Sequence, residues 1–335
     1  MAQISISGDT SGTVTLAAPS VSGSSVLTLP VATDTVATLT QANAYYGFKN
    51  RIINGAMVID QRNAGASQTL GVGNTYAVDR WFVGATTAAV TGQRVAGIGG
   101  YQYAFRITGG ASNAGVFLTQ RIESYNVSDL VSSNVTFSCV VAASAITSIT
   151  WTAYYPTVTD SFGTLTQIAT GTFSGITSSA QTFTATFNAG ASAANGLQFT
   201  FTIGTMTSGT FTITGVQLEK GSIATAFDYR PYGTELALCQ RYYYVIAGFY
   251  IEGYANAASV RAVTIPVNFP VTMRATPTRT VITAGSYTNV RGSSSTYAGL
   301  GINGLSATFA SASAESAAAG TTTCSNQTES MSAEL

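Results

Sequence analysis

An all-β chain with a β-sandwich at its centre is what this sequence predicts, on three observations. Between Tyr46 and about Tyr229, apolar residues alternate with polar ones in short runs, as with Phe199, Phe201 and Ile203 in "LQFTFTIG" and Phe211 and Ile213 in "GTFTITGVQLE". That period of two sends one face into a core and the other into water. The runs are broken repeatedly by Gly, Asn and Ser, and no helix-length periodic segment separates them. Many short strands in such an arrangement form a sandwich or jelly roll.

The elements follow in order. Residues 1–45 form an N-terminal segment in which Ile4 and Ile6, Val14 and Leu16, and Leu27 and Leu29 mark very short strands split by Gly, Pro and Ser. They supply too few apolar side chains to close a core, so intertwining with copies of the same chain in a homotrimer is expected. Residues 46–230 carry the sandwich runs, among them "RIINGAMVIDQR", "TYAVDRWFVG", "GVFLTQRIE", "NVTFSCVVAA", "SITWTAYYP" and "QTFTATFNAG". Residues 231–244 hold the best helix-forming stretch, "TELALCQRYYY". Leu236, Cys239 and Tyr243 lie near one helical face there, and Gly233 or Thr234 is the expected cap. Glu219, Asp228, Arg230 and Glu235 are concentrated around this linker in a chain with few charges, and local ion pairs gluing two β units together are expected of them. Residues 245–335 form a distal β-domain, where Val263, Ile265, Val267 and Phe269 alternate before Pro270 and further strands run to the terminal "ESMSAEL". "GLGING" at 299–304 matches the dinucleotide fingerprint by letters alone. Without a βαβ context it is read as a turn.

Composition excludes several functions. Charged residues make up only 8% of the 335, with 14 cations against 14 anions. An ordinary soluble domain carries about 25%. No basic stripe exists to hold phosphates, so nucleic acid is not an expected partner. The absence of histidine removes the commonest general base and metal ligand. Cys139, Cys239 and Cys324 are an odd, widely spaced set, read as buried reduced thiols. No apolar run reaches the roughly 18 residues of a membrane span, so no membrane insertion is expected. The N-terminus has no secretory signal pattern, which points to synthesis in a cytoplasm.

The remaining chemistry lies in carboxylates and aromatics. Asp60, Asp79 and Glu123 are the isolated acids of the sandwich, with Asp79 and Arg80 read as a structural ion pair and a calcium site left open. No cofactor is expected. Trp81, Tyr101, Tyr103, Trp151, Tyr154 and Tyr155 could stack on sugar rings, because apolar C–H faces suit an aromatic platform. The two tryptophans sit inside strand-like runs and read as core. Tyr154 and Tyr155, ending a strand at Pro156, are the better exposed pair. In the distal unit Tyr254, Tyr287, Arg291 and Tyr297 are read as lying in Gly/Ser/Asn-rich loops, where recognition residues concentrate.

The ordered set Asn54-Gly55, Gln61-Arg62, Asp79-Arg80-Trp81, Gln217 to Gly221, Arg230-Pro231 and Cys239 to Tyr243, with "MRATPT" at 273–278, resembles tail fibres and related receptor-binding proteins of tailed bacteriophages. The segment "GTVTLAAPSVSGSSVLTLPVATDTVATL" is similar to repeats near the attachment end of such fibres. The resemblance implies a homotrimer in the virion tail. Its N-terminus would join a baseplate or adaptor protein, and a jelly roll like those of carbohydrate-binding modules would precede a distal domain that touches host surface polysaccharide. The chain departs from the pattern in lacking long shaft repeats. The alternatives are a tailspike-like depolymerase using carboxylates such as Asp60 and Glu123, or a tail or capsid decoration without glycan affinity.

Overall fold

The computed structural model describes residues 3–7, 13–17, 48–258, 261–283, 286–288, 300–303, 309–315 and 320–335. The chain divides into two compact units, residues 1–42 and residues 43–335. In the first, β1 (Gln3–Ser7) and β2 (Thr13–Ala17) pair antiparallel, with Ile4 opposite Leu16 and Ile6 opposite Val14. The run at Leu27 and Leu29 lies outside the described residues.

In the second unit the period-two runs become two six-stranded antiparallel sheets. Sheet one is ordered β11 (Ser161–Ser174), β10 (Ser148–Val158), β13 (Leu197–Gly204), β8 (Gly115–Ile122), β5 (Phe82–Thr86), β4 (Gly73–Tyr76). Sheet two is ordered β12 (Gln181–Asn188), β9 (Asn134–Ser144), β14 (Thr210–Lys220), β7 (Tyr103–Thr108), β6 (Val90–Ala96), β3 (Gln68–Leu70). The chain crosses repeatedly between them, which makes a jelly roll. Inward residues interlock around Phe137, whose ring lies 5.4 Å from Phe201, 5.7 Å from Phe199 and 5.9 Å from Phe173. Trp81 and Trp151 are buried in this core, as their place in the runs predicts.

Other inter-strand contacts are hydroxyl pairs between residues directly opposite in register. Thr119 meets Thr200 at 3.0 Å and Thr152 meets Thr170 at 3.1 Å in sheet one. In sheet two Thr136 meets Thr186 at 2.9 Å and Ser144 meets Thr210 at 3.2 Å. Cross-strand pairs of this kind stabilise a sheet without any charge.

Two of the expected runs fold differently. "RIINGAMVIDQR" is not a strand but an irregular wrap that buries Ile52, Ile53, Met57 and Ile59. Asn54 and Met57 adopt φ of 58° and 57°, which breaks extension. The Asn54 side chain takes over the lost ladder, accepting from Ile59 N at 2.9 Å and donating to Ile59 O at 2.7 Å and Asp79 O at 3.0 Å. Gly55 is required there, since a Cβ would sit 2.0 Å from Val216 O. "TYAVDRWFVG" is a hairpin, β4 and β5, turned at Arg80 with φ of 71°.

The expected helix forms as α1 (Tyr232–Gln240). Its cap is Pro231, whose carbonyl accepts from Thr234 N and Glu235 N, and neither Gly233 nor Thr234 caps it. Leu236 and Cys239 join Ile53, Ile59 and Tyr242 in a small apolar cluster beneath the helix, while Tyr243 starts the next strand.

That strand, β15 (Tyr243–Ala255), pairs with β21 (Gly320–Ser332), which also pairs with β17 (Thr278–Thr283) and β18 (Ser286–Thr288). A second sheet is ordered β16 (Arg261–Asn268), β20 (Phe309–Glu315), β19 (Leu300–Asn303). "GLGING" therefore contributes a strand where a turn was expected: Leu300 to Asn303 pair with Ala314 to Ser311. Ile246, Phe269, Met273, Met331 and Ala333 form a small core here.

The chain's last residues are tied to the sandwich by charge. The carboxylate of Glu334 bonds Arg62 at 2.8 Å and also pairs with Arg80, which is 1% exposed. The Arg80 guanidinium lies 3.4 Å above the Tyr242 ring and donates to Arg121 O, while Arg62 lies 3.6 Å above Tyr243. Asp79 does not pair with Arg80, correcting the sequence reading: its carboxylate accepts from Gln61 N at 2.6 Å and Gln61 Nε2 at 2.7 Å. The hairpin turn separates the two neighbours and sends each to a different partner. Asp60 accepts from the Asn63 and Gly65 amides, and Glu123 pairs with Arg241 at 3.0 Å. Cys139 and Cys239 are free and buried, and burial pushes both thiols up. Among the described residues no helix is long and apolar enough to cross a membrane, and no three His, Cys, Asp or Glu side chains gather as metal ligands.

Candidate functional site

The charged ribbon after β14 folds back onto the strand it leaves. Gln217 and Glu219 are buried polar residues and cannot stay unpaired. Glu219 accepts from Thr225 N at 2.8 Å and Thr225 Oγ1 at 2.6 Å, and Gln217 Oε1 accepts from Asp228 N at 2.8 Å. Asp228 in turn accepts from Asn50 N at 3.2 Å. Arg230 donates to Ile52 O and Asn50 O and pairs with Glu235 at 3.1 Å, whereas Glu219 and Asp228, expected in ion pairs as well, bond neutral groups instead. Glu235 also accepts from Asn54 N. The charges are therefore an internal scaffold that fixes the path of "FDYRPYG".

That path leaves aromatic rings at the surface. Phe227 and Tyr229 meet edge-on at 4.9 Å, and both meet Tyr101, at 5.3 Å and 5.9 Å. Tyr101 lies against Gly215, where a Cβ would come within 2.4 Å of its ring, and Gly215 has φ of +60°. Beside the trio opens a cleft of about 240 Å³ lined by Phe227, Tyr229, Tyr232, Asn50, Gln102 and Asp228, with Asn54, Arg230 and Glu235 among its further walls. Tyr229 is 63% and Tyr232 62% exposed. Burial pushes the Tyr101 hydroxyl up to about 12 and raises that of Tyr229, so both remain protonated donors near neutrality.

A second cleft of about 260 Å³ shares Asn50 and Arg230 with the first in its lining. Its walls include Phe48, Arg51, Ile53, Tyr125, Asn126 and Asp129. Arg51 pairs with Asp129 at 2.7 Å. Tyr125 sits on the 3-10 turn Ser124–Asn126, pinned by Asp160, which accepts from Ser124 N at 2.7 Å and Ser124 Oγ at 2.9 Å. Its ring is 86% exposed.

Of the aromatic candidates read from sequence, Tyr101 enters the trio. Tyr154 and Tyr155 are half-buried on β10, Tyr254 is largely exposed on β15, and Tyr287 lies on β18 opposite Cys324. Tyr254 and Tyr287 are thus strand residues where loops were expected, and Tyr154, Tyr155 and Tyr254 line neither cleft. Arg291 and Tyr297 lie outside the described residues. Sequence reasoning did not single out Phe227, Tyr229 or Tyr232. The signal available was the alternation of aromatic and charged residues through "FDYRPY". Asp60 and Glu123, the acids named for a depolymerase, line neither cleft.

The class this fold defines is the two-sheet jelly-roll β-sandwich. About half of the chain aligns with each of several solved structures. One is a CBM4 domain, at 19% identity over 50% of this chain and 98% of that one, with a TM-score of 0.33. Another is the CBM22-1 xylan-binding domain from Paenibacillus barcinonensis, at 17% identity over 48% and 99%, with a TM-score of 0.29. The enzymatically active domain of tailspike protein 4 from bacteriophage CBA120 aligns at 11% identity over 52% of this chain and 22% of that one, with a TM-score of 0.34. No protein-family model and no curated protein sequence matches the chain.

Proposed function

We propose that this protein is a structural and adhesive component of a bacteriophage tail, of the tail-fibre kind, that holds host surface glycan without breaking a bond. The observation that carries this reading is the cleft beside Tyr229 and Tyr232. Two large rings stand mostly in water there, next to amide and carboxylate groups fixed by buried hydrogen bonds. Rigid aromatic faces with a few oriented polar groups suit the apolar C–H faces and hydroxyl rims of sugars. The ordered motifs that resemble tail fibres support adhesion, and Asp60 and Glu123, the acids named for hydrolysis, line neither cleft. In this reading the N-terminal segment joins a baseplate or adaptor protein, the chain works as a homotrimer, and weak single sites gain effective concentration by repetition.

The test is binding of purified protein to host cells and competition with infection. Wild type binds and competes, and Tyr229→Ala combined with Tyr232→Ala does neither while keeping its β-sheet spectrum. Release of reducing sugar from host polysaccharide would replace adhesion with depolymerisation. Failure of wild type both to bind and to compete would leave decoration. Light scattering reports three chains if the assembly is as proposed.

A further inference from the structure

We propose that the two clefts act as one groove for a linear oligosaccharide, with Asn50 and Arg230 forming the ridge between two sugar subsites. This rests on the glycan-binding reading above and goes beyond it in naming the length class of the ligand. Three observations carry it. The cavities have Asn50 and Arg230 in common in their linings, so they are neighbours. Each volume, about 240 Å³ and about 260 Å³, falls short of the roughly 300–1,000 Å³ typical of small-molecule sites, whereas the two together fall inside it. Each also presents exposed tyrosine, Tyr229 and Tyr232 in one and Tyr125 in the other, so both ends of the groove offer a face for a sugar ring.

The two shared residues are themselves held rigid, Asn50 by Val216 O and Ile52 N and Arg230 by Ile52 O, Asn50 O and Glu235. The Arg230 side chain is 6% exposed and its Nε–H is buried without an acceptor, although its two terminal nitrogens are fully engaged. Arg51 Nε, in the wall of the second cleft, is likewise buried and unpartnered. Around the ridge, Asn126 and Gln102 offer further amides on either side. A glycan chain of several sugars satisfies these requirements, with rings against the tyrosines and a glycosidic link crossing Asn50 and Arg230.

The experiment is calorimetric titration of the full chain with size-fractionated oligosaccharides, from disaccharides to octasaccharides, released from a bacterial surface polysaccharide that the wild type binds. Affinity is expected to climb steeply with length until both subsites fill, then level. Tyr125→Ala and Tyr229→Ala should each weaken the long fragments about tenfold, the effect of roughly one lost ring contact. Both rings are exposed, so both variants keep the fold. If Tyr125→Ala binds long fragments as wild type does while Tyr229→Ala does not, the groove is refuted and the single-cleft reading stands. If wild type binds no glycan of any length, the groove falls together with the adhesive function.

Discussion

Glu334 is the carboxylate on which the buried Arg80 depends, and replacing it tests how the chain's last residues are held. Arg80 is 1% exposed, and its charge is balanced by Glu334 at one side and the Tyr242 ring at the other. Burial lowers the Arg80 pKa and Glu334 is the first of the neighbours that raise it; an arginine guanidinium stays charged in proteins even without such a partner. Glu334→Gln therefore leaves a buried cation facing a neutral amide. Breaking such a pair by removing one partner costs about 3–5 kcal/mol. At about 2–4 °C per kcal/mol for a unit of this size, the melting temperature should fall by about 6–20 °C. Differential scanning calorimetry and urea unfolding followed by circular dichroism provide the measurement. The double variant Arg80→Met with Glu334→Leu removes both charges and should recover most of the loss, because well-packed apolar groups replace a buried pair at little net cost. Arg62 keeps its contacts with Tyr243 and Tyr76 in either variant. If Glu334→Gln melts within about 2 °C of wild type, the pair contributes under about 1 kcal/mol and the reasoning fails.

Asp79 should make stability depend on mildly acid pH. Burial raises its carboxyl from 3.8 to about 6, against the lowering pull of Arg62 and Gln61. The folded state then keeps a proton that the unfolded state has lost, so the contribution of Asp79 is complete below about pH 4 and is lost as pH rises through about 6. Asp79→Asn should flatten that slope in denaturant titrations at stepped pH. At the alkaline end Tyr76, Tyr101 and Tyr242 are pushed up to about 12, each first by burial. Their contribution is complete below about pH 10 and is lost as pH climbs toward 12, which phenolate absorbance should follow in step with unfolding. Gly55→Ala places a methyl against the Val216 carbonyl, a backbone group with no room to yield, and should destabilise by at least about 1–3 kcal/mol in urea unfolding. Phe137→Ala removes the ring around which the core interlocks and should lower stability by about 3–5 kcal/mol.

The sandwich was legible because its signal is local. In "LQFTFTIG" alternate residues face inward, and a period of two needs no partner to be read. The helix was equally plain, since "TELALCQ" has no β-branched run to compete with it. What resisted reading was structure built from distant partners. Asn54 replaces a backbone ladder with its side chain only because Asp79 O lies beside it, and neighbours in sequence do not reveal that. Arg80 pairs with a residue 254 positions away, so its adjacent aspartate was a misleading guide. The cleft was hidden for the same reason. Charges in the "QLEKGSIATAFDYRPYG" ribbon indicated a polar scaffold, and they form one, but the rings that the scaffold leaves in water depend on where Asn50, Tyr101 and Gly215 arrive in space.

Hydroxyl pairs such as Thr119 with Thr200 and Thr136 with Thr186 join neighbouring strands of the sandwich without an ion. Dissolved salt screens charges but leaves neutral dipoles at contact distance almost untouched. These ties should hold alike in dilute fresh water and in concentrated brine. With a formal net charge of zero, identical molecules would also feel little long-range repulsion, so many could crowd side by side on one support.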